Sequence, residues 1–124
     1  MSSSRYDNGF DFKQKYSFEK RCKESINIKK KYPTRCPIIC DVIDDPTPLK
    51  LDKKKYLVPY ELTVGQFLFV IRKHMNISQE TAIFIFTSNG MLPPASESMQ
   101  QLYNKYVDED GFLYLSISSE KTFG

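Results

Sequence analysis

Residues 52–73, DKKKYLVPYELTVGQFLFVIRK, constrain the fold of this chain more than any other stretch. A cationic run meets a short apolar strand, Tyr56-Leu57-Val58, which Pro59 ends by removing a backbone donor. A helix must follow at once. Thr63 and Gln66 have the S/T-x-x-E/Q spacing of a capping box, and Leu62 and Phe67 occupy the two positions of a hydrophobic staple. Val64, Phe67, Leu68, Ile71 and Met75 recur at helical spacing and are expected to face a core, with the helix running from Val64 to Met75. Phe69 and Val70 fall outside that stripe. Lysines beside a strand, with spare apolar side chains next to it, suit an extended peptide rich in acidic and aromatic residues. The same features also occur as a solvated charged face and ordinary helix architecture.

The rest of the chain alternates strand and helix around this unit. Residues 1–9 are polar and serine-rich, and are expected to be mobile. Residues 11–31 read as one or two helices, stopped by Pro33. Phe18, Cys22 and Ile26 line one face there, and Glu24 and Ile28 share another. An exposed isoleucine beside a glutamate is an odd choice for packing alone. Strands are predicted at 36–43 and 54–58, joined by the turn-forming DDPTP, and at 83–87 and 112–118. Asn89-Gly90 and Asp110-Gly111 signal turns, and Met99, Leu102, Tyr103 and Tyr106 mark a short helix. The order helix, β, β, α, β, α, β predicts an α+β domain of the β-grasp type: a four-stranded mixed sheet with a helix across one face and additional N-terminal helices.

Bulk properties set limits. A chain of 124 residues makes one domain, burying roughly two-thirds of its unfolded surface. No apolar run reaches membrane-spanning length and no signal peptide is present, which points to a soluble cytoplasmic protein. The three cysteines, Cys22, Cys36 and Cys40, fit reduced thiols. Cys36 and Cys40 lie four apart on one strand, and His74 is the single histidine, so no metal site and no cofactor are expected. No catalytic residue set is evident either, so the chain is not expected to be an enzyme. Residues 1–60 carry fourteen Lys/Arg against eight Asp/Glu; residues 61–124 carry four against seven. A basic first half attracts nucleic acid, tubulin, anionic lipid or acidic peptides alike. No RNA-binding signature or zinc finger is present, so nucleic acid is not the expected partner.

Several separate blocks resemble one family. Beside 52–73 these are YPTRCPIIC (32–40), AIFIF (82–86), LPP (92–94), LYNKYVDEDGFLYL (102–115) and the final TFG. In this order they resemble the GABARAP-type autophagy ubiquitin-like modifiers, from about Phe18 to Gly124. The resemblance implies a ubiquitin-like domain at 18–118, preceded by an extension at 1–17 and followed by a flexible conjugation tail at 119–124. It also implies a substrate of catalysis: Gly124 is adenylated, passed through cysteine thioesters on activating and conjugating enzymes, and joined to phosphatidylethanolamine. Glycine suits this role, because without a Cβ it threads a narrow channel in conformations closed to other residues. The unconjugated protein is expected to be a cytoplasmic monomer, and the conjugate to sit on the autophagosome membrane.

The resemblance further implies that receptors with W-x-x-L-type motifs add a strand beside the second strand. Glu24, Ile28, Pro37, Lys55, Leu57 and Phe112 match the family's aromatic pocket. Tyr56, Val58, Pro59, Leu62, Phe67 and Val70 match its aliphatic pocket; for Leu62 and Phe67 the helix staple is the main role. Lys53, Lys55 and Arg35 are placed to meet acidic residues. Phe84, Phe86, Arg72 and Phe123 match contacts to the processing and deconjugating cysteine protease, with Phe84 and Phe86 facing outward, although a continuous apolar strand is routinely core.

Departures from the family pattern narrow what carries over. Relatives usually have at least one residue after the glycine, whereas this sequence stops at Gly124; an encoded ready tail and a trimmed one both fit. The extension before Phe18 is longer and poorly matched, so no binding role is placed on it. Cys36 and His74 stand where aliphatic and basic residues are common, and Gly90 reads as a one-residue insertion. A non-conjugated ubiquitin-like adaptor and a basic cytoskeletal or nucleic-acid-binding domain are the competing readings.

Overall fold

Two proline positions explain how the sheet is assembled. In the computed structural model, which describes residues 10–43 and 49–119, β1 (Arg35–Val42) pairs antiparallel with β2 (Lys55–Pro59). Cys40 N–H donates to Lys54 O at 2.7 Å, and Tyr60 N–H to Thr34 O at 3.4 Å. Hydrogen-bonded pairs alternate from there, so Pro37↔Leu57 and Arg35↔Pro59 are non-hydrogen-bonded pairs. Both prolines thus lack a donor where the β1–β2 seam needs none. Pro59 closes the strand as its last residue rather than lying beyond it.

β1 also pairs in parallel with β4 (Leu113–Ser119), and β4 antiparallel with β3 (Ile83–Phe86), giving the order β2-β1-β4-β3. This is the four-stranded mixed sheet expected of a β-grasp. The central strands are covered on both faces, which is why Ile38-Ile39-Cys40 runs apolar without alternating. Ile38 and Cys40 join Leu113, Leu115 and Ile117 in the main core, while Ile39 packs with Phe10, Phe112 and Tyr114 on the opposite face.

The main core is closed by α3 (Val64–Arg72) and α4 (Met99–Tyr106). Thr63 Oγ1 accepts from Gln66 N–H at 3.2 Å and Gln66 Oε1 accepts from Thr63 N–H at 2.9 Å, completing the expected capping box. Ser98 and Gln101 repeat the device on α4, an unanticipated second box. α3 ends one turn earlier than its apolar spacing suggests. His74 N–H turns back to Ile71 O at 2.8 Å and Met75 N–H to Arg72 O at 3.2 Å; Met75 then bridges Leu51 and stays buried.

Two helices, α1 (Asp11–Lys15) and α2 (Phe18–Lys31), cover the other face of the sheet. The inward face of α2 carries a serine at its closest approach to the domain and Ile28 beside it. Ser25, 2% exposed, donates to Asp110 O at 2.5 Å, whereas Ile26 is 52% exposed and Phe18 also faces solvent. Phe18 and Ile26 therefore lie on the outer side, and Cys22 is half-buried. Close approach decides this: Gly111, at φ 93°, has no Cβ to collide with Ser25 Oγ. Ser119 belongs to β4, paired with Ile83 and buried, so the strand extends into the expected tail. The expectations for residues 1–9, the DDPTP turn and residues 120–124 lie outside the described residues.

Candidate peptide-binding groove at the edge of the sheet

Among the described residues, β2 has a strand neighbour on one side only. Because Tyr56 and Val58 turn their amide groups toward β1, the N–H and C=O groups of Lys55 and Leu57 point along the open edge. Arg35 covers part of it, its Nη1 donating to Leu57 O at 3.1 Å. Strand alternation sends the side chains of Tyr56 and Val58 beneath α3, and those of Lys55 and Leu57 to the face covered by α1 and α2.

The α3 side holds the residues expected to form an aliphatic pocket. Tyr56, Val58 and Phe67 are buried in the main core, with the Tyr56 and Phe67 rings edge-to-face at 5.4 Å. They form a floor rather than an accessible wall. Leu62 and Val70 are half-buried against that core, so the accessible apolar surface on this side lies with them; Pro59, also half-buried, falls by strand alternation on the face of Lys55 and Leu57.

The α2 side differs more from expectation. Lys55 is ion-paired with Glu24, and both remain partly exposed. Ile28 is half-buried against the Phe10–Ile39–Phe112–Tyr114 cluster, not a solvent-facing misfit. Pro37 is buried and Phe112 is 0% exposed, so neither is presented to solvent. The covering group is Phe12, whose ring meets Phe112 at 5.1 Å and 74°. Sequence reading had placed this residue in the N-terminal extension. The signal was Phe10-x-Phe12, two aromatics in a polar stretch, with Phe10 buried against Tyr114 at 5.0 Å.

Positive charge lines the rim. Lys53 Nζ lies 5.1 Å over the Tyr56 ring, and Tyr56 Oη donates to Lys53 O at 2.7 Å. Lys54 reaches Asp41 at 3.4 Å and Asp11 at 3.7 Å. Burial pushes the Cys36 thiol up to about 12 and the Cys40 thiol well above its ordinary value, so both behave as core side chains. Among the described residues no cluster of His, Cys, Asp and Glu is placed to hold a metal, and no helix is long and apolar enough to cross a membrane.

The residues matched to protease contacts are only partly placed for that role. Arg72 Nη1 donates to Thr81 O at 2.8 Å, and Nη2 donates to Ser78 O at 3.1 Å and Gln79 O at 3.0 Å. Its guanidinium thus ties down the loop after α3. On β3, Phe84 and Phe86 lie on the face opposite Ile83 and Ile85, across from the buried Ser118 and Ser116. Phe84 is half-buried, but Phe86 is 5% exposed and does not present the expected outward ring. Gly124 and Phe123 lie outside the described residues.

The family described as "Autophagy protein Atg8 ubiquitin like" matches residues 20–124. Autophagy-related protein 8 of Schizosaccharomyces pombe is 52% identical over 113 residues, covering 91% of this chain and 93% of the relative. The Mycosarcoma maydis protein of the same name is 51% identical, with 91% and 95% covered. Among solved structures, Trypanosoma brucei ATG8 aligns with a TM-score of 0.85 at 42% identity, over 92% of this chain and 97% of that one. Plasmodium falciparum Atg8, solved in complex with a Plasmodium falciparum Atg3 peptide, aligns at 0.76 and 35% identity, over 88% and 98%. The chain belongs to the Atg8 family, and is a ubiquitin-like modifier of autophagy rather than an enzyme.

Proposed function

We propose that this protein is conjugated through Gly124 to phosphatidylethanolamine on autophagic membranes, and there recruits receptors by strand addition to β2. The observation that carries receptor binding is the open β2 edge with apolar surface on both sides. In an extended peptide, residues three apart point to opposite faces of the sheet. An aromatic-x-x-aliphatic motif therefore sends one side chain toward α2 and the other toward α3, while Lys55 and Leu57 supply backbone register. Arg35, Lys53 and Lys55 would meet acidic residues of the motif at the rim, raising association rate more than affinity.

In conjugation this chain supplies the acyl group and the enzymes supply the chemistry. The Gly124 carboxylate attacks the α-phosphate of ATP, releasing pyrophosphate. A cysteine thiolate of the activating enzyme then displaces AMP to give a thioester. Transfer to a conjugating-enzyme cysteine follows, and the phosphatidylethanolamine amine attacks the thioester, forming an amide and releasing the thiol. A cysteine protease reverses the final bond. The Atg3 peptide bound by the Plasmodium relative supports a conjugating enzyme as partner. The free protein would be a cytoplasmic monomer and the lipid conjugate membrane-bound.

Calorimetry with a short acidic, aromatic-x-x-aliphatic peptide tests the receptor reading. Val70→Asp buries an unpaired carboxylate on the aliphatic side and should weaken binding by roughly a hundredfold or more. Leu57→Ala should weaken it through the aromatic side. Lys53→Glu should act mildly and reduce the salt dependence. Affinity within about twofold of the parent in Val70→Asp, less than one ordinary contact, would remove the groove from this edge.

A further inference from the structure

The aromatic side of the groove already holds a side chain of this protein. Phe12 stands edge-on to Phe112 and packs against the same cluster as Ile28. Lys55 Nζ lies 5.3 Å over its ring while paired with Glu24. Glu24, Ile28, Lys55 and Phe112 are thus engaged around Phe12 or held by its neighbours. A receptor ring cannot touch Phe112 while Phe12 stays in place. The preceding residue extends the parallel, because the Asp11 carboxylate, 3.1 Å from Lys15 of its own helix, also lies 3.7 Å from Lys54. Asp11-Phe12 therefore presents to the lysine-lined side of the groove an acidic residue followed by an aromatic one, the chemistry a receptor motif would bring.

The helix carrying this pair is lightly held. α1 has five residues, no side-chain N-cap and no buried residue of its own. Helices this short have little intrinsic stability. Besides the Phe12 contacts and the Asp11–Lys54 pair, its ties to the domain include Lys13 Nζ to Asp108 at 2.7 Å, Lys13 over the Tyr114 ring at 4.5 Å, and Asp11 N–H to Asp41 Oδ2 at 3.2 Å, most of them made by polar side chains near the surface. On either side the chain is fixed more firmly, by Phe10 in the core and by Arg21 at Asp110. A local opening between these anchors would remove Phe12 without unfolding the domain.

We propose that Phe12 is an internal competitor for the aromatic pocket, displaced when a receptor inserts its aromatic side chain. This rests on the groove reading above. The apparent affinity of a receptor is then lowered by the fraction of molecules whose pocket is open. The test is calorimetry and amide hydrogen exchange with the same acidic, aromatic-x-x-aliphatic peptide, on variants first shown to be folded. Phe12→Ala should bind about tenfold more tightly, as expected for a pocket closed nine-tenths of the time. Lys13→Ala, which frees α1 without altering the pocket, should shift affinity in the same direction by less. Saturating peptide should raise exchange at the amides of residues 12–16 in the parent. Unchanged or weaker binding by Phe12→Ala, or α1 exchange unaltered by peptide, makes Phe12 a fixed wall and overturns the proposal. Loss of binding in Val70→Asp in those samples leaves the groove reading intact. Its absence in both the parent and Phe12→Ala backgrounds would overturn the groove and this proposal with it.

Discussion

Arg21 Nη1 donates to Asp110 Oδ2 at 2.6 Å, and this pair fastens the N-terminal helices to the turn that starts β4. Asp110 is buried, and it also accepts from Tyr114 Oη at 2.5 Å and Phe112 N–H at 2.9 Å. Burial opposes the charge on Arg21, but its bonds to Tyr114 and Asp110 outweigh it and raise the pKa. The carboxylate is fully satisfied, so removing it leaves several orphans at once.

Asp110→Ala should therefore destabilise the protein by about 3–5 kcal/mol, the range for breaking a buried ion pair. Urea unfolding followed by circular dichroism checks this. A loss below about 1 kcal/mol, the scale of an exposed pair, would mean that water replaces the carboxylate without strain.

Gly111 makes a second, independent prediction about the same junction. Its φ of 93° disfavours any side chain, and a Cβ would strike Ser25 Oγ. Gly111→Ala should cost more than about 1 kcal/mol. Gly65→Ala is the control, because a Cβ there meets Ala95 at ordinary contact distance, and it should be neutral or stabilising by up to about 1 kcal/mol. Equal effects of the two substitutions on the thermal midpoint would remove close approach as the reason for α2's orientation.

What the sequence made legible follows from where its signals are local. The Thr63–Gln66 box, the Asp110-Gly111 turn and the core of α4 depend on residues a few positions apart, and all appear as read. The groove residues were assigned from family resemblance. Their accessibility was not legible. Strand alternation gives the face of Phe112, but its cover comes from Phe12, 100 positions away. The exposure of Ile28 was misread for a related reason. Beside Glu24 it read as a solvent-facing residue, whereas it packs half-buried on the same distant cluster. Arg72 shows the same limit, since its carbonyl partners lie on a loop without periodicity.

Asp108 gives a pH-dependent prediction for α1. Burial opposes its ionisation, but the Lys13 ammonium and the Asp110 backbone N–H outweigh that, and Arg21 adds to them, so its pKa is lowered from 3.8. A lowered carboxylate contributes stability that is complete above the unfolded value and is lost as pH falls through the folded one. The tie to α1 should thus persist through neutral and mildly acidic solution and fail only below pH 3.8. Carboxyl titration by NMR should give a midpoint below that value for Asp108, rising in Lys13→Ala. An unchanged midpoint in that variant would assign the lowering to other groups.

The final prediction separates folding from conjugation. The main core includes Ile117, and β4 ends at Ser119, buried and paired with Ile83. Gly124→Ala should therefore leave the thermal midpoint within about 1 °C of the parent, because a change under about 0.2 kcal/mol moves a domain of this size no further. Peptide binding at β2 should be equally unaffected. On the proposed conjugation, the same variant should yield no membrane-associated form carrying a lipid mass in cells, because a Cβ closes backbone conformations that only glycine reaches. Mass spectrometry of the membrane fraction under starvation reads this directly. A lipid adduct of unaltered abundance on the folded Gly124→Ala protein would place the conjugation point elsewhere, while leaving receptor binding at the sheet edge standing on its own geometry.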